Sequence, residues 1–389
     1  MFRHDPARSG VTTSAAATEP VKLWSFPEGH FTGYFIESSA AVVNGQVYVG
    51  SNYNQAEGRG GNIYAFNAYT GVKIWNYSNQ APVHSSPAIS ENRLFIGASF
   101  DVLALDALTG FKIWSFATGG GVDSSPAVAD GVVYVGSHDG NVYALNASTG
   151  NKIWNYTTRN GVDSSPAIVN GVVYIGSDDK NVYAFNSSTG TNIWTYTTGG
   201  IVESSPTVSN GIVYVGSGDG VVYALDALTG GKVWSFETSH RSQVPGIVAS
   251  PAVGDGVVYI VSDGGGLYAL NASTGVQIWN NFRDYAIEHS SPAVADGVVY
   301  ISSLAINGST GTGIWTYNTK NVIYSSPAVV DGVVYIGSTD GNFYAIGEIS
   351  KTTPSQLEPA VQLLAIVVTV VVVIIFAVLF FVFKNRPKR

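Results

Sequence analysis

The chain has no cysteine among its 389 residues. Disulfides, cysteine-ligated zinc, iron–sulfur clusters and thiol nucleophiles are thereby excluded. Charge is scarce too: Asp, Glu, Lys and Arg make up 12% of the residues, about half the usual share. The net charge is −8, although Lys384, Arg386, Lys388 and Arg389 crowd the last six positions. The body ahead of them is more acidic still and carries no stripe of Lys and Arg, which excludes nucleic acid as a partner. The sequence holds no HExxH, no GxSxG and no Walker loop, so the common hydrolase, zinc-protease and nucleotide-binding signatures are missing. Its six histidines are scattered without metal-ligand spacing. The glycine runs Gly119–Gly121 and Gly264–Gly266 open no helix, so they read as hairpin and link glycines.

What is plentiful is Gly (45), Tyr (22), Phe (17) and Trp (8). That mix suits short strands joined by tight turns. Those residues fall into a repeat. The eight tryptophans, Trp24, Trp75, Trp114, Trp154, Trp194, Trp234, Trp279 and Trp315, each close one copy, and the central copies are 39 or 40 residues long. Residues 124–158 read as four strands: SSPAVAD, Val132–Ser137, Val142–Asn146 and Lys152–Thr157. Turns at Asp130-Gly131, Asp139-Gly140 and Ser148-Thr149-Gly150 separate them. Asp-Gly supplies the positive φ angles of a two-residue hairpin, and Asn146 tightens its own turn by bonding the backbone ahead of it. Four short strands per ~40–45 residues is the signature of a propeller blade; three tight hairpins per unit argue against a β-solenoid.

The first strand recurs eight times, at Ser38, Ser85, Ser124, Ser164, Ser204, Ser250, Ser290 and Ser325. The last copy has no tryptophan strand after it, and Leu23–Phe26 has no blade before it. The fold expected is therefore an all-β, eight-bladed propeller of four-stranded antiparallel blades whose N-terminal strand completes the last blade. The seventh unit is short, and its middle hairpin is expected to be stunted. The segments read as an extension over 1–20, the propeller over 21–348 and a linker over 349–361. A membrane helix over 362–383 and a basic tail over 384–389 follow.

The run L-[ND]-A-x-T-G-x-x-x-W, as in Leu145–Trp154 and Leu225–Trp234, resembles the tryptophan-docking motif of the pyrroloquinoline quinone (PQQ) repeat family. The resemblance covers about residues 21–347. It implies that the eight tryptophans are structural girdle residues. The family includes quinoprotein dehydrogenases and also non-enzymatic propellers, among them an outer-membrane assembly lipoprotein. Its enzymes carry long inserts and often adjacent cysteines over the cofactor; this chain has near-minimal blades and no cysteine, so no cofactor is expected. The alternative is a PQQ- and calcium-dependent dehydrogenase. The opening Met1–Gly10 resembles the start of a mature propeller that follows an export signal, which places the expected signal upstream of Met1.

Leu363–Phe383 is a run of 21 residues without charge, about 30 Å as a helix, the thickness of a bilayer core. The basic tail after it marks the cytoplasmic side. The expectation is a single-pass cell-surface protein with its propeller outside, serving as a binding scaffold or, alternatively, as a ligand-sensing ectodomain for an unknown protein or small ligand. The residue ahead of each Ser-Ser-Pro is expected where the innermost strand meets the central channel. Round the ring these are Glu37, His84, Asp123, Asp163, Glu203, Val248, His289 and Tyr324. Adjacent carboxylates at a channel mouth attract a cation or a cationic ligand; the plainer reading is near-duplicate repeats inheriting near-identical residues, solvated by water in the channel. Acidic residues in SHDGN, SDDKN, SGDGV and STDGN recur at one hairpin, where turn chemistry and calcium compete as explanations. The loops Pro27–Tyr34, Tyr53–Gly61, Ser239–Gly246 and Asn281–Ile287, with Arg241, Arg283 and Tyr285, are further contact candidates. Glycosylation sequons stand at Asn76, Asn146, Asn155, Asn186, Asn271 and Asn307.

Overall fold

The computed structural model describes residues 5, 8–26, 34–53, 60–79, 81–238, 246–282 and 290–348. The contact loops named above fall almost wholly outside these residues, as do His289, the linker, the apolar run and the basic tail. Among the described residues no helix is long and apolar enough to cross a membrane.

Each blade grows from its hairpins. Asp130 (φ 50°) and Gly131 (φ 73°) form the left-handed pair of a type I′ turn, joining Ala127–Ala129 to Val132–Gly136. The next turn differs from the two-residue Asp-Gly hairpin expected. There only Gly140 has positive φ, and its N–H donates to Ser137 O at 3.0 Å. Asp139 instead uses its carboxylate as the turn's acceptor, taking the Asn141 N–H at 2.9 Å. The third turn is closed by Asn146, whose Oδ1 accepts from Ser148 N and Thr149 N, both at 3.0 Å. The first strand is also shorter than expected. It begins after Pro126, which has no N–H to give a ladder, so Ser124–Pro126 is a link.

The blades follow in chain order as four-stranded antiparallel sheets. Two carry an extra strand: Tyr34–Phe35 pairs with the end of Gln46–Tyr53 in blade 1, and Val11–Thr12 lies parallel to Ala293–Ala295 in blade 7. Blade 7 has the stunted hairpin, Val298–Ile301 and Leu304–Asn307 joined through Ser302 and Ser303. Blade 8 takes its outer strand from the other end of the chain: Lys22–Phe26 pairs antiparallel with Phe343–Gly347, Trp24 opposite Ala345.

The core lies between blades. Trp194 of blade 4 packs with Val213, Leu225 and Ala227 of blade 5, and its indole N–H donates to Ala227 O at 3.0 Å. The phenol of Tyr174 in blade 4 donates to that same carbonyl at 3.1 Å. This two-donor clamp recurs with Trp154 and Tyr134 on Ser187 O, and with Trp234 and Tyr214 on Ala272 O. At the seam between blades 7 and 8, Trp315 and Tyr300 donate to Ala17 O, a residue of the N-terminal segment.

Candidate functional site

The paired serines of the repeat have two separate tasks. The first serine fixes its own blade and the next: Ser164 Oγ accepts from Gly176 N at 3.0 Å and donates to Ser204 O at 3.1 Å. The second serine builds a ring. Ser125 N donates to Ser165 Oγ, Ser165 N to Ser205 Oγ, Ser205 N to Ser250 Oγ, and so on through Ser291, Ser326, Ser39 and Ser86. Eight bonds of 2.8–3.0 Å close the circle. The eight hydroxyls line a funnel of ≈470 Å³ whose rim includes Glu37, His84, Asp123, Glu203, Val248 and Tyr324. Asp163 stands on the same rim against His138 and near Glu203.

The rim is chemically lopsided. In blades 1 and 2, Glu37 Oε2 lies 3.0 Å from Nδ1 of His84. The amide of Asn52 is 2.9 Å from both. Nδ1 has a single site, so a proton there serves Glu37 and leaves the amide of Asn52 to the same carboxylate. The bond to Glu37 raises the pKa of His84, against the opposing effect of burial. In blades 3 to 5, His138 sits between Asp163, which abuts its Nε2, and Asp123 at 3.4 Å. Asp163 is pushed up to about 6, first by burial and then by Asp178, Asp123 and Glu203, with His138 pulling the other way. Burial also raises Asp178. Oδ1 of Asp178 is shut off from water and accepts no hydrogen bond among the described residues, while Oδ1 of Asp163, equally shut off, meets Nε2 of His138. Across the funnel stand Val248 and Tyr324.

Asp163, Asp178 and Glu203 each bring one carboxylate oxygen within 4.8 Å of the others. They offer three of the six to eight oxygens that calcium takes. His138, Asp178 and Asn52 escaped the reading of the repeat because they stand on the second strand or its hairpin, well away in sequence from the Ser-Ser-Pro step. Position 138 aligned with 178 shows the exchange of His for Asp, but only the ring brings either to the rim. The neighbouring hairpin carboxylates are committed to their turns. Asp179 accepts from Asn181 N at 3.1 Å, Tyr183 Oη at 2.6 Å and Arg159 N at 3.0 Å. Burial opposes these bonds, yet they hold its pKa below the usual range. The sequons at Asn146, Asn186, Asn271 and Asn307 all build Asx turns, whereas Asn76 and Asn155 are exposed on outer strands.

A quinone cofactor bearing several carboxylates needs cationic or amide donors round it. The described lining holds no Lys or Arg, and its rim carboxylates repel such an anion. These residues do not fit PQQ.

Past the serine ring the N-terminal segment runs along the inner strands of blades 5, 6 and 7. The guanidinium of Arg8 is fully buried. It donates to Pro166 O and, at 2.7 Å, to Ser125 O. Thr207 Oγ1 donates to Arg8 O at 2.8 Å. Val253 N and Val294 N donate to Ser9 O and Gly10 O, both at 2.8 Å.

The chain is similar in structure to BamB from Moraxella catarrhalis, at 21% identity and TM-score 0.69, over 85% of this chain and 98% of that one. It is also similar to the computationally designed Ika8 protein (19%, 0.70, over 85% and 100%). A europium-containing methanol dehydrogenase shares the fold at 13% identity and TM-score 0.74, over 90% and 97%. Likeness at these identities establishes the propeller and no activity. No curated protein sequence matches the chain. The family described as outer membrane protein assembly factor BamB matches residues 9–161, 98–199 and 159–353. With that match spanning all eight blades, the chain belongs to this family of PQQ-like repeat propellers.

Proposed function

We propose that this protein is a non-enzymatic, membrane-anchored propeller that acts outside the cytoplasm as a binding scaffold, with the channel mouth as its recognition face. The funnel carries the reading. It gathers Glu37, His84, Asp123, Asp163, Asp178 and Glu203 over a rigid, self-bonded floor, and a preformed concave site with a few convergent polar groups is the usual form of a binding site. BamB from Moraxella catarrhalis carries the name of a family described as an outer membrane protein assembly factor, which favours a role in recognition over one in redox chemistry. The apolar run Leu363–Phe383 and the basic residues after it support the anchor and its direction.

The test uses the native chain in its own cells. Resistance of the protein to alkaline carbonate extraction, with the propeller cleaved by protease added outside, is the result expected. Release into the soluble fraction overturns the anchor. Purified in detergent and given PQQ with Ca²⁺, the chain is expected to show no bound chromophore and no dye-linked oxidation of alcohols or sugars. Turnover there restores the dehydrogenase alternative.

A further inference from the structure

The second serines are 4–7% exposed, and each Oγ already accepts a main-chain N–H. Among the described residues none of the eight hydroxyl hydrogens is donated to a protein group. Ser38 Oγ, in the other register, donates to Ser39 O, so the contrast lies in position and not in residue type. The eight hydrogens are left to the funnel, where water or a ligand oxygen can accept them.

Charge is arranged round the same funnel. Arg8 is bonded to the main-chain carbonyls of Ser125 and Pro166, so its positive charge sits next to the hydroxyl ring on the side of blades 3 and 4. At the rim stand Asp163, Asp178 and Glu203, with Asp123 and Glu37 beside them. Simple ions satisfy half of this at best. A metal ion answers the carboxylates and leaves the hydroxyls unmet. A simple anion answers the hydroxyls and is repelled at the rim. A molecule with an anionic head and a cationic tail answers both, and ≈470 Å³ is in the range of small-molecule pockets.

We propose that the funnel binds a compact amino acid, its carboxylate on the serine ring beside Arg8 and its ammonium among Asp163, Asp178 and Glu203. This rests on the mouth being the recognition face. It adds the chemical class of the ligand, and its readout is independent of anchoring and redox activity. The pocket's own titration gives a second signature. Asp163 faces Asp123, Asp178, Glu203 and His138. It becomes fully ionised only as pH rises past about 6, so affinity is expected to rise from pH 5 to pH 7.

The experiment is calorimetric titration of the full chain in detergent. The probes are glycine, 4-aminobutyrate and 6-aminohexanoate, with ethylammonium, acetate and CaCl₂ as half-ligands. At least one amino acid is expected to bind at least tenfold more tightly than any half-ligand. Glu203→Gln and Asp178→Asn are each expected to weaken it at least fivefold while leaving the melting temperature unchanged or higher. Absence of binding by all three amino acids overturns the proposal, and so does equal affinity for ethylammonium or CaCl₂ alone. Either failure leaves the carbonate, protease and PQQ results standing, so the two readings fall separately.

Discussion

At Gly190 two demands coincide. Its φ is +70°, and a Cβ there would come 2.7 Å from the ring of Trp154 in the preceding blade. The left-handed backbone alone costs a side chain about 1–2 kcal/mol, and forcing the indole aside costs about 1–3 kcal/mol more. Gly131 has the same backbone (φ +73°) with nothing within 4 Å. Gly190→Ala is therefore expected to lose about 2–4 kcal/mol in urea denaturation and Gly131→Ala only about 1–2 kcal/mol; equal losses would show that the indole yields freely. Asp163 supports a prediction of the opposite sign. Its folded pKa lies above the ordinary value, so the native state binds the proton more tightly than the unfolded chain. Stability then falls as pH rises from about 4 to about 6, and stays low above that. Asp163→Asn removes the penalty and is expected to stabilise the protein by about 1–2 kcal/mol at pH 7, with no gain below pH 4. A stability difference that does not change between pH 4 and pH 7 would count against it.

The N-terminal segment shows how an element can be written into a repeat by exceptions. Where blades 3, 4 and 6 have Ala127, Ala167 and Ala252, blade 5 has Thr207, whose hydroxyl holds Arg8 O. Where blade 3 has Ala129, blade 6 has Gly254, and a Cβ there would come 2.9 Å from Val11 Cγ2. Gly254→Ala should therefore destabilise the fold, and Val11→Ala in the same chain should recover part of the loss; purely additive effects in the double-mutant cycle would break the link. Arg8→Met leaves the carbonyls of Ser125 and Pro166 without a donor and is expected to cost about 2–4 kcal/mol by thermal unfolding. Neither exception signals its meaning in the sequence, because the partner is about 200 residues away. The blades themselves were legible, since tryptophan spacing, Asp-Gly turns and the Asn146 turn are all local signals. So was the rim at Asp123, Asp163 and Glu203, because it shares the period of the repeat. His138, Asp178, the hydroxyl ring and the Arg8 bolt were not, because each needs the ring to be closed before its neighbours exist.

Closure itself is the property of the whole molecule. Seven blades are made from consecutive chain, and the eighth is finished by Lys22–Phe26, so both ends of the propeller are held in one sheet. The join is apolar as well as hydrogen-bonded. Trp24 packs with Phe343, Tyr335 and, across the seam, Phe66, and its indole N–H reaches Ala68 O in blade 1 at 2.9 Å. Inside, Ser326 N bonds Ser39 Oγ and completes the serine circle. Removing residues 1–26 strips the outer strand and the segment that supplies Ala17 O to Trp315 and Tyr300. It leaves Phe343–Gly347 as an unpaired edge flanked by buried apolar side chains, and such an edge recruits a strand from another molecule. The shortened protein is expected to associate in a concentration-dependent way by light scattering, while the full-length chain shows no such dependence over the same range. Trp24→Ala and Trp154→Ala should each cost about 3–5 kcal/mol, but only the first loosens the seam and should promote association. If both variants stay equally free of self-association, ring closure is carried by the remaining strand and serine bonds, and the tryptophan at the join is no more than another girdle residue.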